Sequence, residues 1–376
     1  MAALAERLKN ECVALLRCAD VVVNGDRPWD IRVNDERLYR RVWTDGTLGL
    51  GESYMDGWWD CPQLDQFFEK VLRAELQKKV RRNVALWLRA FLAERVLNPQ
   101  RRSRAFQIGR RHYDLGNDLF RAMLDRRMVY SCAYWKNAAS LDEAQEAKLD
   151  LVCRKIGLRP GMRVLDIGGG WGSFGLFAAE RYGAETVSVT VSREQAALGR
   201  ELCAGRPVDI RLQDYRDLNE RFDRIVSIGM FEHVGVKNYR TYFRVARRCL
   251  EDDGLFLLHT IGSSESGYSG EPWMSRYIFP NSMLPSIAQI GEAIEGLFVM
   301  EDWHNFGADY DKTLMAWYEN FKRAWPDLRG KYGERFGRMW TYFLLSCAGG
   351  FRARYNQVWQ IVLSPRGVPG GYESIR

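Results

Sequence analysis

The tightest constraint in this 376-residue chain is a set of four glycines in five positions, Gly168-Gly169-Gly170-Trp171-Gly172, placed directly after the apolar run RVLDI at Arg163–Ile167. Glycines cluster in this way where backbone must turn sharply and come close to a ligand, so the segment reads as strand, loop and helix. The helical stretch SFGLFAAERYG follows and closes at Gly183. Next come a strand ETVSVT at Glu185–Thr190, a helix opening at Ser192, and strands at Val208–Leu212, 223–229 and 255–260, with helical pattern between the last three. Strands alternating with helices require right-handed crossovers, which predicts an α/β fold with a doubly wound, mostly parallel sheet. Ligands of such sheets bind beyond the carboxyl ends of the strands. Those ends, at 166–172, 190–195, 213–217, 229–233 and 259–262, are each polar or glycine-rich, which predicts one shared cleft.

The loop also discriminates between ligands. A dinucleotide-binding turn has the form G-x-G-x-x-G, with a carboxylate about 20 residues on for a ribose. Here the third glycine comes early, at Gly172, and Thr190 ends the following strand. The form D-x-G-x-G-x-G, Asp166 through Gly172, is that of S-adenosylmethionine-dependent methyltransferases, and favours S-adenosylmethionine over a dinucleotide. The expected fold class is therefore the class I, Rossmann-like methyltransferase sheet.

Residues 1–105 differ in character: mostly helical and polar, without extended strand alternation. They predict a smaller, mainly helical N-terminal domain preceding a catalytic domain at 106–376. Hydrophobic residues at 46% and charged residues at 27% exclude a disordered or collagen-like chain. The net charge of +7 is unevenly spread: residues 78–111 hold eleven basic side chains and one acid, Glu94, a local +10 that leaves the remainder at −3. Within that segment Val80, Val84, Trp87, Leu88 and Phe91 recur at helical spacing beside Lys78, Lys79, Arg81, Arg82 and Arg89. Such a helix can lie on an anionic bilayer or pack its apolar face on the next domain, and the sequence leaves both open.

The uncharged stretches at 277–291 and 339–351 fall short of the roughly 18 apolar residues a spanning helix needs. Glu6, Arg7 and Lys9 occupy positions where a secretory signal requires an apolar core. The eight cysteines are scattered without a C-x-x-C pair, so neither a metal site nor a disulfide framework is expected. These features predict a cytoplasmic protein that visits the inner face of the membrane peripherally.

Ten segments, taken in order, carry a family likeness: HYDLGNDLF (112–120), YSCAYW (130–135), VLDIGGGWG (164–172), VTVSREQ (189–195), QDYRD (213–217), MFEHVG (230–235), HTIG (259–262), YIFPN (277–281), EDWHNFGADYDKTLMAWY (301–318) and CAGGFRAR (347–354). Together they resemble the cyclopropane-fatty-acyl-phospholipid synthases, relatives of the mycolic acid cyclopropane synthases. The resemblance implies methyl transfer from S-adenosylmethionine to a cis double bond in an unsaturated phospholipid acyl chain, then proton loss from that methyl to close a cyclopropane. The carbocation between the two steps wants aromatic faces and nearby negative charge. The resemblance further implies a bound bicarbonate as base, at positions matching Cys132, Glu232, His259, Ile261 and Tyr310. It places Cys347 near the active site and makes a homodimer the expected assembly; because this chemistry requires no nucleophilic cysteine, Cys347 is assigned to lining the acyl pocket, with a direct catalytic role left open.

Matching cofactor positions are Tyr130, Ser131, Asp166, Gly168, Gly170, Gly172, Thr190, Gln195, Tyr215 and Arg216. Gln195, at a helix start, has the donors to meet ribose hydroxyls in place of a carboxylate. Trp303, His304, Phe306, Tyr310, Trp317 and Tyr318 are expected beside the acyl channel. Taken singly, these residues have plainer explanations: His259 as a structural histidine, Glu232 as a helix cap, Tyr215 as a core aromatic, Arg216 as a surface charge. Gly169 stands where the family commonly has cysteine, a change that reads as neutral because a small residue still fits.

Two rival functions remain at this level. A relative of the same fold can methylate a soluble amine or leave an unclosed methyl branch, and the +10 segment can serve as a nucleic-acid phosphate patch. Against nucleic acid, the basic residues sit on an apolar helix and no stacking or base-reading motif accompanies them. The membrane reading predicts that charge reversal at Arg81, Arg82 and Arg89 weakens retention on anionic vesicles and spares S-adenosylmethionine binding. Vesicle sedimentation checks it, and unchanged retention would return the segment to plain solvated surface.

Overall fold

The computed structural model describes residues 2–76 and 116–376. The basic segment at 78–111 and the start of the motif at 112–120 lie outside the described residues. By mutual packing the described chain divides into two compact units. One comprises residues 2–76, 270–280 and 310–356; the other comprises 116–269, 281–309 and 357–376. Segments from late in the chain thus pack with the N-terminal helices, where the sequence reading drew one boundary at 105.

The first unit is helical, as expected, apart from a two-stranded ribbon of β1 (Arg32–Val33) and β2 (Trp59–Asp60). Its core is aromatic: Tyr54, Trp59, Phe67, Phe68, Trp273 and Tyr342 meet in a chain of tilted and edge-on ring contacts. The Trp273 indole lies against Gly51 so closely that a Cβ there would come within 2.3 Å of it. Arg352 ties the unit's helices together, donating to Asp65 at 2.6 Å and to Asp311 at 2.8 Å.

The second unit holds a seven-stranded sheet of β3 (Arg163–Ile167), β4 (Glu185–Thr190), β5 (Val208–Leu212), β6 (Phe222–Ile228), β7 (Leu250–Ser263), β8 (Val299–Asn305) and β9 (Asn356–Ser364). The spatial order is β5-β4-β3-β6-β7-β9-β8. Strands β3 to β7 pair in parallel through five-, five-, three- and six-residue registers, as the alternating pattern predicts. Strand β7 runs longer than the expected 255–260. The β8–β9 pair is antiparallel and falls outside the sequence prediction. Its two strands are separated by two long helices, and the charges in VMEDWHN blur any alternation that would mark β8.

Successive residues of the inner strands enter opposite layers, as the two-residue repeat of a strand requires. Leu165, Ile225, Phe256, Leu258 and Ile361 join one buried cluster with Phe231, Tyr239, Tyr242 and Phe243. Val164, Val226, Leu257 and Val362 join the other with Leu149, Val152, Phe174 and Phe177. With both faces buried, the strands read as apolar runs and only their ends are free to carry polar groups. Among the described residues no helix is long and apolar enough to cross a membrane.

The helix Ser173–Tyr182 packs back on the sheet because of Gly172, which caps it at φ +83°. A Cβ at Gly172 would stand 2.8 Å from Cys203 Sγ and 2.9 Å from Ile210 Cδ1. Gly172→Ala combines a strained backbone with overpacking, so it is expected to cost about 1–3 kcal/mol. A lower urea midpoint at unchanged slope checks this; an unchanged midpoint would refute it.

Candidate functional site

The strand order reverses between β3 and β6, which opens a crevice at the carboxyl ends of the sheet. A cavity occupies it, and nine of the ten expected cofactor positions line it: Tyr130, Ser131, Asp166, Gly168, Gly170, Thr190, Gln195, Tyr215 and Arg216. Gly172 does not line this cavity; its role is the close helix packing described above. Gly168 turns at φ +88°, and a Cβ there would meet the Met230 side chain at 2.6 Å. Gly169 is no neutral replacement either, since its Cβ would stand 2.6 Å from Ser188 Cβ and 2.7 Å from Asp166 Oδ2. The β3–β4 register places Ser188 opposite Asp166, which is what crowds Gly169.

At one side of the cavity, Thr190 Oγ1 donates to Gln195 Oε1 at 2.7 Å, and Ser192 Oγ caps the helix through the Gln195 N–H at 3.2 Å. With its carbonyl end engaged, Gln195 keeps its amide N–H groups for a ligand. Asp214 Oδ1 accepts the Arg216 backbone N–H at 3.0 Å, and the Arg216 guanidinium lies 5.1 Å from the Tyr215 ring centre. Tyr215 is itself a core aromatic, edge-on to Tyr242 at 5.3 Å.

At the other side stand Asp166, Tyr130 and Ser131. Asp166 accepts from Ser188 Oγ at 3.3 Å, and burial pushes its carboxyl up to about 7 against the pull of Ser188 and Lys148. Ser131 is held by two residues the sequence reading missed. Gln145 Nε2 donates to the Ser131 carbonyl at 2.9 Å, and Lys148 Nζ donates to Ser131 Oγ at 2.8 Å. Both sit on the helix Leu141–Lys155, N-capped by Ser140, whose apolar residues Leu149, Val152 and Cys153 pack under the sheet. The available signal was a glutamine and a lysine three residues apart on the side of a helix otherwise destined for burial.

A second group lies around Glu232, in the turn Phe231–His233 after β6. Glu232 Oε1 accepts the Ile261 N–H at 2.7 Å, while buried Oε2 has no hydrogen-bond partner among the described residues. Burial raises its carboxyl to about 7. The helix-cap explanation fails, because the following helix Val236–Cys249 is capped by Gly235 without a side-chain bond. His259, buried two residues before Ile261 on β7, has Nδ1 3.4 Å from Gln360 Nε2. Burial and the nearby Lys148 and Lys155 ammoniums hold its pKa well below the usual histidine value, so the ring is neutral. Phe306 meets it edge-on at 5.7 Å. Cys132 is buried, and its thiol donates to the Ala133 carbonyl at 3.2 Å.

Tyr310 and Cys347 belong to the first unit. There Tyr310 lies 4.6 Å from Phe351 and 5.9 Å from Trp317, ring centre to ring centre. Burial raises the Cys347 thiol to about 12, which removes it as a nucleophile at neutral pH. The aromatic stretch expected along one channel divides between the units: Trp303, His304 and Phe306 belong to the second, Trp317 and Tyr318 to the first.

A family model for mycolic acid cyclopropane synthetase matches residues 100–361. The chain is 55% identical over 370 residues to the cyclopropane-fatty-acyl-phospholipid synthase of Escherichia coli strain K12, covering 98% of this chain and 96% of that one. It is 34% identical over 358 residues to the tuberculostearic acid methyltransferase UfaA1 of Mycobacterium tuberculosis, covering 89% of this chain and 82% of the relative. Among solved structures, the mycolic acid cyclopropane synthase CmaA1 complexed with SAH and CTAB superposes with a TM-score of 0.65 at 35% identity, over 69% of this chain and 97% of that one.

The Glu232 environment makes a thermodynamic prediction. A carboxyl raised from 4.5 to about 7 on folding supports stability below about pH 4.5, and that support is lost as pH rises through 7. Glu232→Gln keeps an oxygen for the Ile261 N–H and cannot ionise. Its stability relative to the parent should therefore improve by about 3 kcal/mol between about pH 4 and pH 8. Denaturant titrations at both pH values check this, and a pH-independent difference would refute it.

Proposed function

The chain belongs to the mycolic acid cyclopropane synthetase family of S-adenosylmethionine-dependent methyltransferases, and on that premise we propose that it forms cyclopropane rings in unsaturated phospholipid acyl chains. When bound, S-adenosylmethionine supplies an electrophilic methyl, so the protein's work is to align a weak nucleophile and exclude water. The chemistry the cofactor would supply is transfer of that methyl to the electron pair of the cis double bond, with the carbon–sulfur electrons leaving on sulfur and a carbocation left on the acyl chain. Loss of one proton from the added methyl lets its carbon–hydrogen electrons close the ring.

In this reading Tyr130, Ser131, Thr190, Gln195, Tyr215 and Arg216 hold the cofactor, with Asp166 and the glycines of the loop beneath it. Cys132, His259 and Ile261 hold a bicarbonate that would supply the base. Glu232 would orient it through the carboxylate oxygen not engaged by Ile261, which can accept a hydroxyl. The observation that carries the reading past simple methyl transfer is this buried carboxylate with one committed and one uncommitted oxygen. For Tyr310, as an anion donor, and Cys347, as pocket lining, the support is the family resemblance alone. The +10 segment supports docking on an anionic membrane face, from the cytoplasmic side, and a homodimer would raise avidity by presenting two such segments.

Incubation with labelled S-adenosylmethionine and vesicles of unsaturated phospholipid, with bicarbonate added, should yield acyl chains carrying an added methylene in a ring. Glu232→Gln should lower ring formation about a hundredfold or more while cofactor binding persists. Parent turnover should rise with pH through about 7 as Glu232 ionises. No ring-containing product would overturn the proposal. Near-normal methyl transfer by Glu232→Gln to an amine or an unclosed branch would favour the rival methyltransferase reading.

A further inference from the structure

One buried charge in the cavity has no carboxylate within 4.0 Å among the described residues. Lys148 is fully buried and lines the cavity, yet it makes a single hydrogen bond among the described residues, from Nζ to Ser131 Oγ at 2.8 Å. A lysine ammonium carries three donors, so two stay uncommitted. Among the described residues no carboxylate lies within 4.0 Å of Nζ; the buried ion pair of this unit belongs to Lys155 and Asp302. The carboxylates that face Lys148 at longer range are otherwise engaged: Asp125 accepts the Val129 and Arg127 N–H groups, and Asp166 accepts from Ser188. Burial without a partner draws the ammonium down to about 8. Removing an ammonium from water without a counter-charge is costly, and a fold that keeps one facing a ligand cavity has placed it for an anion.

We propose that Lys148, with the Ser131 hydroxyl it holds, receives the carboxylate of the amino-acid end of S-adenosylmethionine. The inference rests on reading this cavity as the cofactor site. The opposite side of the cavity is already furnished for neutral hydroxyls and rings by Gln195, Tyr215 and Arg216, and the Arg216 cation is matched by Asp214. The Lys148 side offers one group of each sign, Lys148 and Asp166, which suits a zwitterionic amino acid. The second candidate anion, a bicarbonate at Cys132, Glu232, His259 and Ile261, has its residues outside the lining of this cavity. Lys148 thereby becomes a cofactor-binding residue, and Gln145, which fixes the Ser131 carbonyl from the same helix, a positioning residue.

The test compares S-adenosylhomocysteine with its carboxyl methyl ester, which removes the negative charge and leaves the rest of the ligand in place. Calorimetric titration of the full chain should show the free acid binding about tenfold to a hundredfold tighter than the ester, the worth of a charge-assisted hydrogen bond. Lys148→Met and Lys148→Gln should bind the ester as the parent does and the acid no tighter than the ester. Ester binding by either variant certifies its fold. Retention of the parent's preference by a variant that binds the ester would overturn the proposal. So would a parent that binds both ligands equally, a result that decides the matter even if neither variant folds. A parent that binds neither ligand would overturn the cofactor reading itself.

Discussion

A parallel sheet covered on both faces has one place for polar chemistry, the ends of its strands, and the cavity of this protein's second unit follows from that restriction. Leu165, Ile225 and Phe256 fill one layer and Val164, Val226 and Leu257 the other, so no side chain within these strands is free to bind a ligand. Thr190, Asp214 and Glu232 stand at or just past the carboxyl ends instead, and Asp166 and His259 lie one and four residues inside them. The strand order turns back between β3 and β6, and the crevice it leaves draws Asp166, Thr190 and Asp214 around one cavity.

Burial at those ends is what gives the residues chemical character. Asp166 and Glu232 are both lifted to about 7 by loss of water, and His259 is kept neutral by the same loss and by two nearby ammoniums. Asp166 and Glu232 are held in a state they would not choose in solvent, and Glu232 keeps one buried oxygen without a hydrogen-bond partner among the described residues. Burial of such groups weakens the fold at pH values where they are charged, and marks the site as a functional candidate. Cys347 shows the contrast: burial raises its thiol to about 12, which makes the residue inert.

The glycine loop was readable because its requirement is local. Gly168 must adopt a positive φ whatever surrounds it, and a short motif therefore reveals a turn and a ligand approach. Other features depended on neighbours far along the chain. Gly172 belongs to packing against Cys203 and Ile210, and Gly169 to the close approach of Ser188, which only the register of β3 on β4 determines. Gln145 and Lys148 were passed over because a polar residue on a helix is ordinarily solvated, and their place on its buried side became a signal only once that side was known to pack beneath Ser131.

By itself the sequence determined the α/β class, five of the seven strands, the glycine loop, the class of cofactor and, through ten ordered motifs, the family. These are properties of short segments, where periodicity, backbone sterics and motif spacing act within a few residues. Tertiary structure alone decided which polar groups lose their water and which partners they keep among the described residues: the uncommitted oxygen of Glu232, the lifted carboxyl of Asp166, the Lys148 ammonium bonded to Ser131 alone and the antiparallel β8–β9 edge. Desolvation and strand pairing depend on residues brought together from distant parts of the chain, and no local pattern encodes them.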